Sequence, residues 1–148
     1  MAPSVLLVDP DRGWLHAVRA SFPPGIDVEV CTDFSEARER LLHASPAFLI
    51  TNLRLAAYNG LHLVLLATAA SPKMRSLVYG ERDDQWAAHE VQGCGAFFER
   101  RDRLPDAAIA FINGRLPASE RRTLFDGDRR AARLGGRRAT DLRTPPPE

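Results

Sequence analysis

Cysteine is scarce in this chain, lysine nearly missing, and no apolar run is long enough to cross a membrane. The two cysteines, Cys31 and Cys94, fall in apolar surroundings within strand-like segments, which points to reduced core thiols and not to a disulfide framework. Lys73 is the only lysine, a usage that goes with an arginine-rich composition. The opening run Ser4-Val5-Leu6-Leu7-Val8 is too short for a signal peptide and lacks a basic lead-in, so a cytoplasmic location is expected. A net charge of +1 gives no global argument for nucleic acid. Internal repeats are absent, and no Gly-rich phosphate loop follows the first apolar run.

What is present suffices for one domain and leaves chain over. With 148 residues, 45% of them hydrophobic and 26% charged, the sequence can bury a core without metal or disulfides. Charge is unevenly spread. Residues Gly114 to Glu148 hold nine Arg against five acidic residues, a surplus of four positive charges, so the rest of the chain carries −3. A globular body over residues 1–113 and a polar, Arg/Pro-rich tail over 114–148 is the expected division, the tail being read as disordered.

Over the body, short β-type runs alternate with helical ones. Val5-Leu6-Leu7-Val8 is a continuous aliphatic run, the mark of a strand buried on both faces. Asp11 caps a helix to about Phe22 that sets Trp14, Leu15, Val18 and Phe22 on one stripe, and Pro23-Pro24-Gly25 ends it. Ile26 to Val30 alternates apolar with acidic residues, as an edge strand does. Asp33-x-x-Glu36 is a capping box for a helix with Ala37, Leu41 and Leu42, closed by Ser45-Pro46. Phe48 to Thr51 is a third strand, and Asn59-Gly60 turns the chain into a helix from Leu61 to Ala67. Ser76 to Tyr79 is a fourth strand, and Asp83 or Asp84 starts a helix through Val91. Ala96 to Glu99 is a fifth strand, and Pro105 to Ile112 a last helix with its exit at Asn113-Gly114. Parallel strands need crossovers, so the pattern predicts an α/β doubly wound sheet of order 2-1-3-4-5 with five helices. Its site should lie at the carboxyl ends of the strands.

The residues at those ends are Asp9-Pro10-Asp11 after the first strand and Asn52-Leu53-Arg54-Leu55 with Asn59-Gly60 after the third. Gly80 follows the fourth, and Gly93-Cys94-Gly95-Ala96-Phe97-Phe98-Glu99-Arg100 forms the fifth. Over about residues 4 to 112 this order and spacing resembles the receiver domain of two-component response regulators, the CheY-like family. The resemblance implies an acidic pair for Mg²⁺, a phosphoryl-accepting aspartate, a hydroxyl and a lysine at successive strand ends. Here Asp9 and Asp11 stand as a split acidic pair around Pro10, and Asn52 takes the acceptor position. Gly80 takes the hydroxyl position, Arg100 the lysine position and Phe97 the aromatic one, while an ungapped count would put Asp102 where Arg100 is placed. An amide has no anionic oxygen with which to attack phosphorus, so the resemblance implies a receiver-like domain without the phosphorylation switch.

Plainer readings stand beside these. Asp9 is also a strand-end turn residue, Asn52 a loop-ordering amide, and Arg100 either a partner of Asp9, Asp11 or Asp102 or a solvated surface side chain. His16, His43, His62 and His89 are scattered singly without metal spacing. The leading expectation is a non-enzymatic signalling module without cofactor, binding Mg²⁺ weakly at Asp9 and Asp11 or not at all. It would act by protein contact through the fourth helix, fifth strand and last helix, with Trp86 and either Phe97 or Phe98 as aromatic anchors, core burial being the plainer reading of these rings. A homodimer is compatible with that face. The alternatives are a nucleic-acid-binding regulator that uses the Arg-rich tail and a residually phosphorylatable response regulator.

Overall fold

The computed structural model of the chain describes residues 3–82 and 84–114. The tail expected over 114–148 therefore lies, beyond Gly114, outside the described residues, as does Asp83. All ten expected elements form: β1 (Ser4–Val8), α1 (Arg12–Ala20), β2 (Asp27–Cys31), α2 (Phe34–Ala44), β3 (Phe48–Asn52), α3 (Gly60–Ala70), β4 (Arg75–Gly80), α4 (Gln85–Gly93), β5 (Phe97–Arg100) and α5 (Asp106–Ile112). A two-residue ladder, Arg54–Leu55 with Tyr58–Asn59, folds back between β3 and α3, and a 3-10 turn, Arg101–Arg103, links β5 to α5.

The five strands pair in parallel in the order β2-β1-β3-β4-β5, as the apolar runs predict. Alternating side chains feed two cores. Leu6, Val8, Leu49, Val78 and Phe98 pack under α2, α3 and α4, and Val5, Leu7, Ile50, Leu77 and Tyr79 pack under α1 and α5. Helix starts follow capping chemistry. Asp11, Asp33, Asn59 and Asp84 each accept a backbone N–H of the first turn, a device worth about 1 kcal/mol per helix.

Several expectations need adjustment. α1 stops at Ala20, so Phe22 enters the core from the following turn. Leu42 and Leu65 face outward, because three residues of α2 or α3 per two turns suffice to cover the sheet. Cys31 is buried and Cys94 half-buried, both free, and the four histidines are exposed. Gly60 begins α3 hard against β3: a methyl group there would collide with the carbonyl oxygen of Asn52. No described helix is long and apolar enough to cross a membrane.

Candidate functional site

At the carboxyl ends of β1 and β3 lies a buried carboxylate. Asp9 is 1% exposed, the first residue past β1, and it is held by groups from four other parts of the chain. Its Oδ1 accepts the backbone N–H of Asp11 at 2.8 Å. Its Oδ2 accepts Asn52 Nδ2 at 2.9 Å and the hydroxyl of Tyr79 at 2.6 Å, with Arg101 Nε at 3.4 Å. The last distance is long for a hydrogen bond and marks an ionic contact.

Asn52 can serve only in one orientation. Its carbonyl oxygen accepts the N–H of Arg54 at 3.0 Å while its amide nitrogen donates to Asp9, so both ends are used and the flip is fixed by its neighbours. A carboxylate at the same place would face Asp9 oxygen to oxygen. The backbone around it is equally tied: Leu53 N–H donates to Tyr79 O at 2.8 Å and Gly60 N–H to Leu53 O at 2.7 Å.

Tyr79 was not singled out from the sequence. Its ring fills the α1/α5 core beside Trp14 at 5.1 Å, and its hydroxyl spans the end of β3 to reach Asp9. Burial, then the Asp9 charge, pushes the phenol pKa far above its ordinary value, so the hydroxyl stays a donor. Trp14 is also covered by Arg101, whose guanidinium carbon lies 4.1 Å from the indole centroid. Arg101 thus sits among Asp9, Asp11 at 3.8 Å and Glu81 at 3.7 Å. Beside this cluster, buried Glu99 accepts from Arg103 at 3.1 Å.

No family model matches the chain and no curated protein does. Solved structures do. A LuxR-family two-component response regulator from Aurantimonas sp. SI85-9A1 superposes with a TM-score of 0.71 at 19% identity, covering 88% of this chain and 99% of that one. The chain has the receiver fold. A CheY-like receiver domain protein from Methanospirillum hungatei JF-1 gives 0.69 at 16% identity, over 76% of this chain and 92% of that one. A response regulator from Burkholderia pseudomallei, solved with a phosphorylated aspartic acid, a calcium ion and citrate, gives 0.68 at 19% identity, over 84% and 72%.

At the end of β5 the structure separates two neighbouring arginines. The arginine against Asp9 is Arg101, whereas Arg100 fans onto Asp102 with contacts of 2.8 and 3.1 Å. The reason is parity. Tyr79 pairs with Glu99 and Gly80 with Arg100, so Arg100 leaves the sheet on the side away from Tyr79, and the 3-10 turn then swings Arg101 back over it. The same alternation parts the two aromatics of β5. Phe98 is the ring against Gly80, 3.2 Å from where a Cβ would stand, while Phe97 packs on Phe111 and under Arg75. Phe98, expected as a surface anchor, is 1% exposed and belongs to the core, a correction that the alternation along β5 explains. Trp86 is the opposite case, 83% exposed on the first turn of α4.

The residues do not fit the Mg²⁺ that the fold family implies. Asp9 Oδ2 is turned to N–H and O–H donors, Asn52 presents a donor toward it, and Arg101 brings a positive charge into the cluster. Among the described residues no three of His, Cys, Asp and Glu stand together as a ligand set. Asp11 is exposed and is taken up with capping α1.

Proposed function

We propose that the chain is a phosphorylation-independent receiver-like signalling module of a bacterial two-component or phosphorelay system. It works in the cytoplasm, by protein contact and without catalysis. The observation that carries this reading is the Asn52 amide. It donates to Asp9 where the resemblance implies an accepting carboxylate, and Tyr79 and Arg101 close the pocket around the same oxygen. The Asn52 amide has no anionic oxygen to attack phosphorus, the Asp9 carboxylate is taken up by its donors, and Gly80 offers no hydroxyl to grip a phosphoryl group. The Aurantimonas protein matched over nearly its whole length is described as a two-component response regulator, which supports the regulatory context.

The partner face of this reading is α4, β5 and α5, where Trp86 offers a large exposed anchor. Incubation with acetyl phosphate or phosphoramidate and Mg²⁺, followed by intact-mass measurement, is expected to leave one unmodified species. A gain of one phosphoryl group at any site overturns the proposal. Capture of partners by the intact chain, by Trp86→Ala and by a chain ending at Gly114 then separates the body from the Arg-rich tail. Loss on removing the tail alone, with steep salt dependence, would establish the nucleic-acid reading instead.

A further inference from the structure

On the side of Asn52 away from Asp9 the sheet end is open. A cleft of about 350 Å³ lies between the loop after β3 and the loop after β4, with Leu53, Gly80, Ala87 and Phe98 as its apolar lining. Its size is at the small end of the range in which compact ligands are held. It exists because Gly80 has no side chain to fill it, while the Phe98 ring lies beneath.

The charged groups on its rim are Arg54, Arg82, Glu81 and Asp84. They divide by what they already hold. Asp84 is spent on the backbone N–H groups of Trp86 and Ala87, at 3.0 and 3.1 Å. Glu81 leans toward Arg101 at 3.7 Å. Asn52 has both ends of its amide occupied. Arg54 and Arg82, by contrast, form no ion pair among the described residues. Two guanidinium forks on two different loops are therefore the rim's uncommitted charge, above an apolar floor.

We propose that this cleft binds a small carboxylic acid with a compact apolar body. The carboxylate would lie between Arg54 and Arg82 and the body against Ala87 and Phe98. A guanidinium fork matches the planar, two-oxygen carboxylate. A phosphate dianion would bring more charge toward Glu81 and Asp84, so a monoanion is the better complement. Such a ligand would bridge the loop after β3 to the first turn of α4, one residue from Trp86. The inference is independent of the phosphorylation reading, since neither guanidinium it uses takes part in the Asp9 network, which the cleft meets only through Asn52 and Glu81.

The test is a titration of the full chain, isotopically labelled, followed by backbone amide shifts at constant ionic strength. Phenylacetate is the probe, with benzylamine and inorganic phosphate as comparisons. Phenylacetate is expected to move the amides of Leu53, Gly80 and Ala87 saturably and to leave those of Val28 and Cys31 in place. Benzylamine should have no effect and phosphate should bind more weakly. The double variant Arg54→Gln/Arg82→Gln, which alters only exposed side chains and whose amide spectrum checks its fold, should weaken phenylacetate roughly tenfold or more. Absence of saturable shifts, shifts that survive in the double variant, or tighter binding of phosphate than of phenylacetate would each overturn the proposal.

Discussion

Asn52 divides the sheet end into two unlike halves. Toward β1, both carboxylate oxygens of Asp9 are met by donors of the same chain, and the Trp14 indole and Arg101 guanidinium stack beside them. Toward β4, the lining is apolar and the charges at the rim are in part uncommitted. The two halves differ because two residues act in opposite ways. The Asn52 amide supplies a donor, which lets the acidic half close on itself. Gly80 supplies no side chain, which leaves the other half as a cleft.

The strongest test of that contrast is Asp9→Ala. It deprives Tyr79, Asn52 and Arg101 of their shared acceptor, and loss of one partner from a buried charged cluster costs about 3 to 5 kcal/mol. Urea unfolding would read it, and a loss below about 1 kcal/mol would show that the network does not hold the closed half.

Asn52→Asp comes next. It sets a second carboxylate against Asp9 Oδ2, at a cost of about 2 kcal/mol near neutral pH. The repulsion requires both carboxylates to be ionised. The penalty is therefore present at neutral pH and fades as pH falls toward about 4. Added Mg²⁺ should raise the melting temperature of this variant and leave that of the natural chain unchanged.

Tyr79→Phe removes the 2.6 Å hydrogen bond to Asp9 and should cost about 1.5 kcal/mol. It also changes the alkaline limb of stability. The raised phenol pKa means that the neutral hydroxyl contributes stability fully present below about pH 10, which is lost as the unfolded chain ionises above it. Cys31 acts in the same direction, because burial, then Glu36, pushes its thiol from 9.0 up to about 12. In a Cys31→Ala background, Tyr79→Phe should therefore flatten the decline above about pH 10.

The smallest effect is expected in the open half. Gly80→Ser adds a Cβ that meets the tip of the Phe98 ring at 3.2 Å, beside a cleft into which the ring can yield, so the change should be about 1 kcal/mol or less. A loss as large as that of Asp9→Ala would mean that the halves are packed alike.

The fold was legible because strands buried on both faces read as apolar runs and because caps and Pro/Gly breaks punctuate them. Asn52, Asp9 and Gly80 were legible for the same reason, since each sits where a run ends. Tyr79 was not. As the last apolar residue of a strand it reads as core, and only the sheet order reveals that its hydroxyl reaches Asp9. Arg101 was hidden within Glu99-Arg100-Arg101-Asp102-Arg103, where no pattern announces the 3-10 turn that selects one arginine over its neighbour. Phe98 was hidden in the same way: its place opposite Val78, on that residue's inward face, follows from the ladder register and not from the run Ala96-Phe97-Phe98.

The stack of Arg101 on Trp14 has an optical consequence. One indole lies half-buried under a cation, 4.1 Å from its ring, and the other, Trp86, stands 83% in water. The two fluorophores should differ in emission wavelength and in access to iodide, so the blue, shielded signal reports on the closed acidic pocket and the red, quenchable one on the start of α4. Light from a single unlabelled sample would then distinguish a partner seated on the helix from a disturbance of the pocket beneath it.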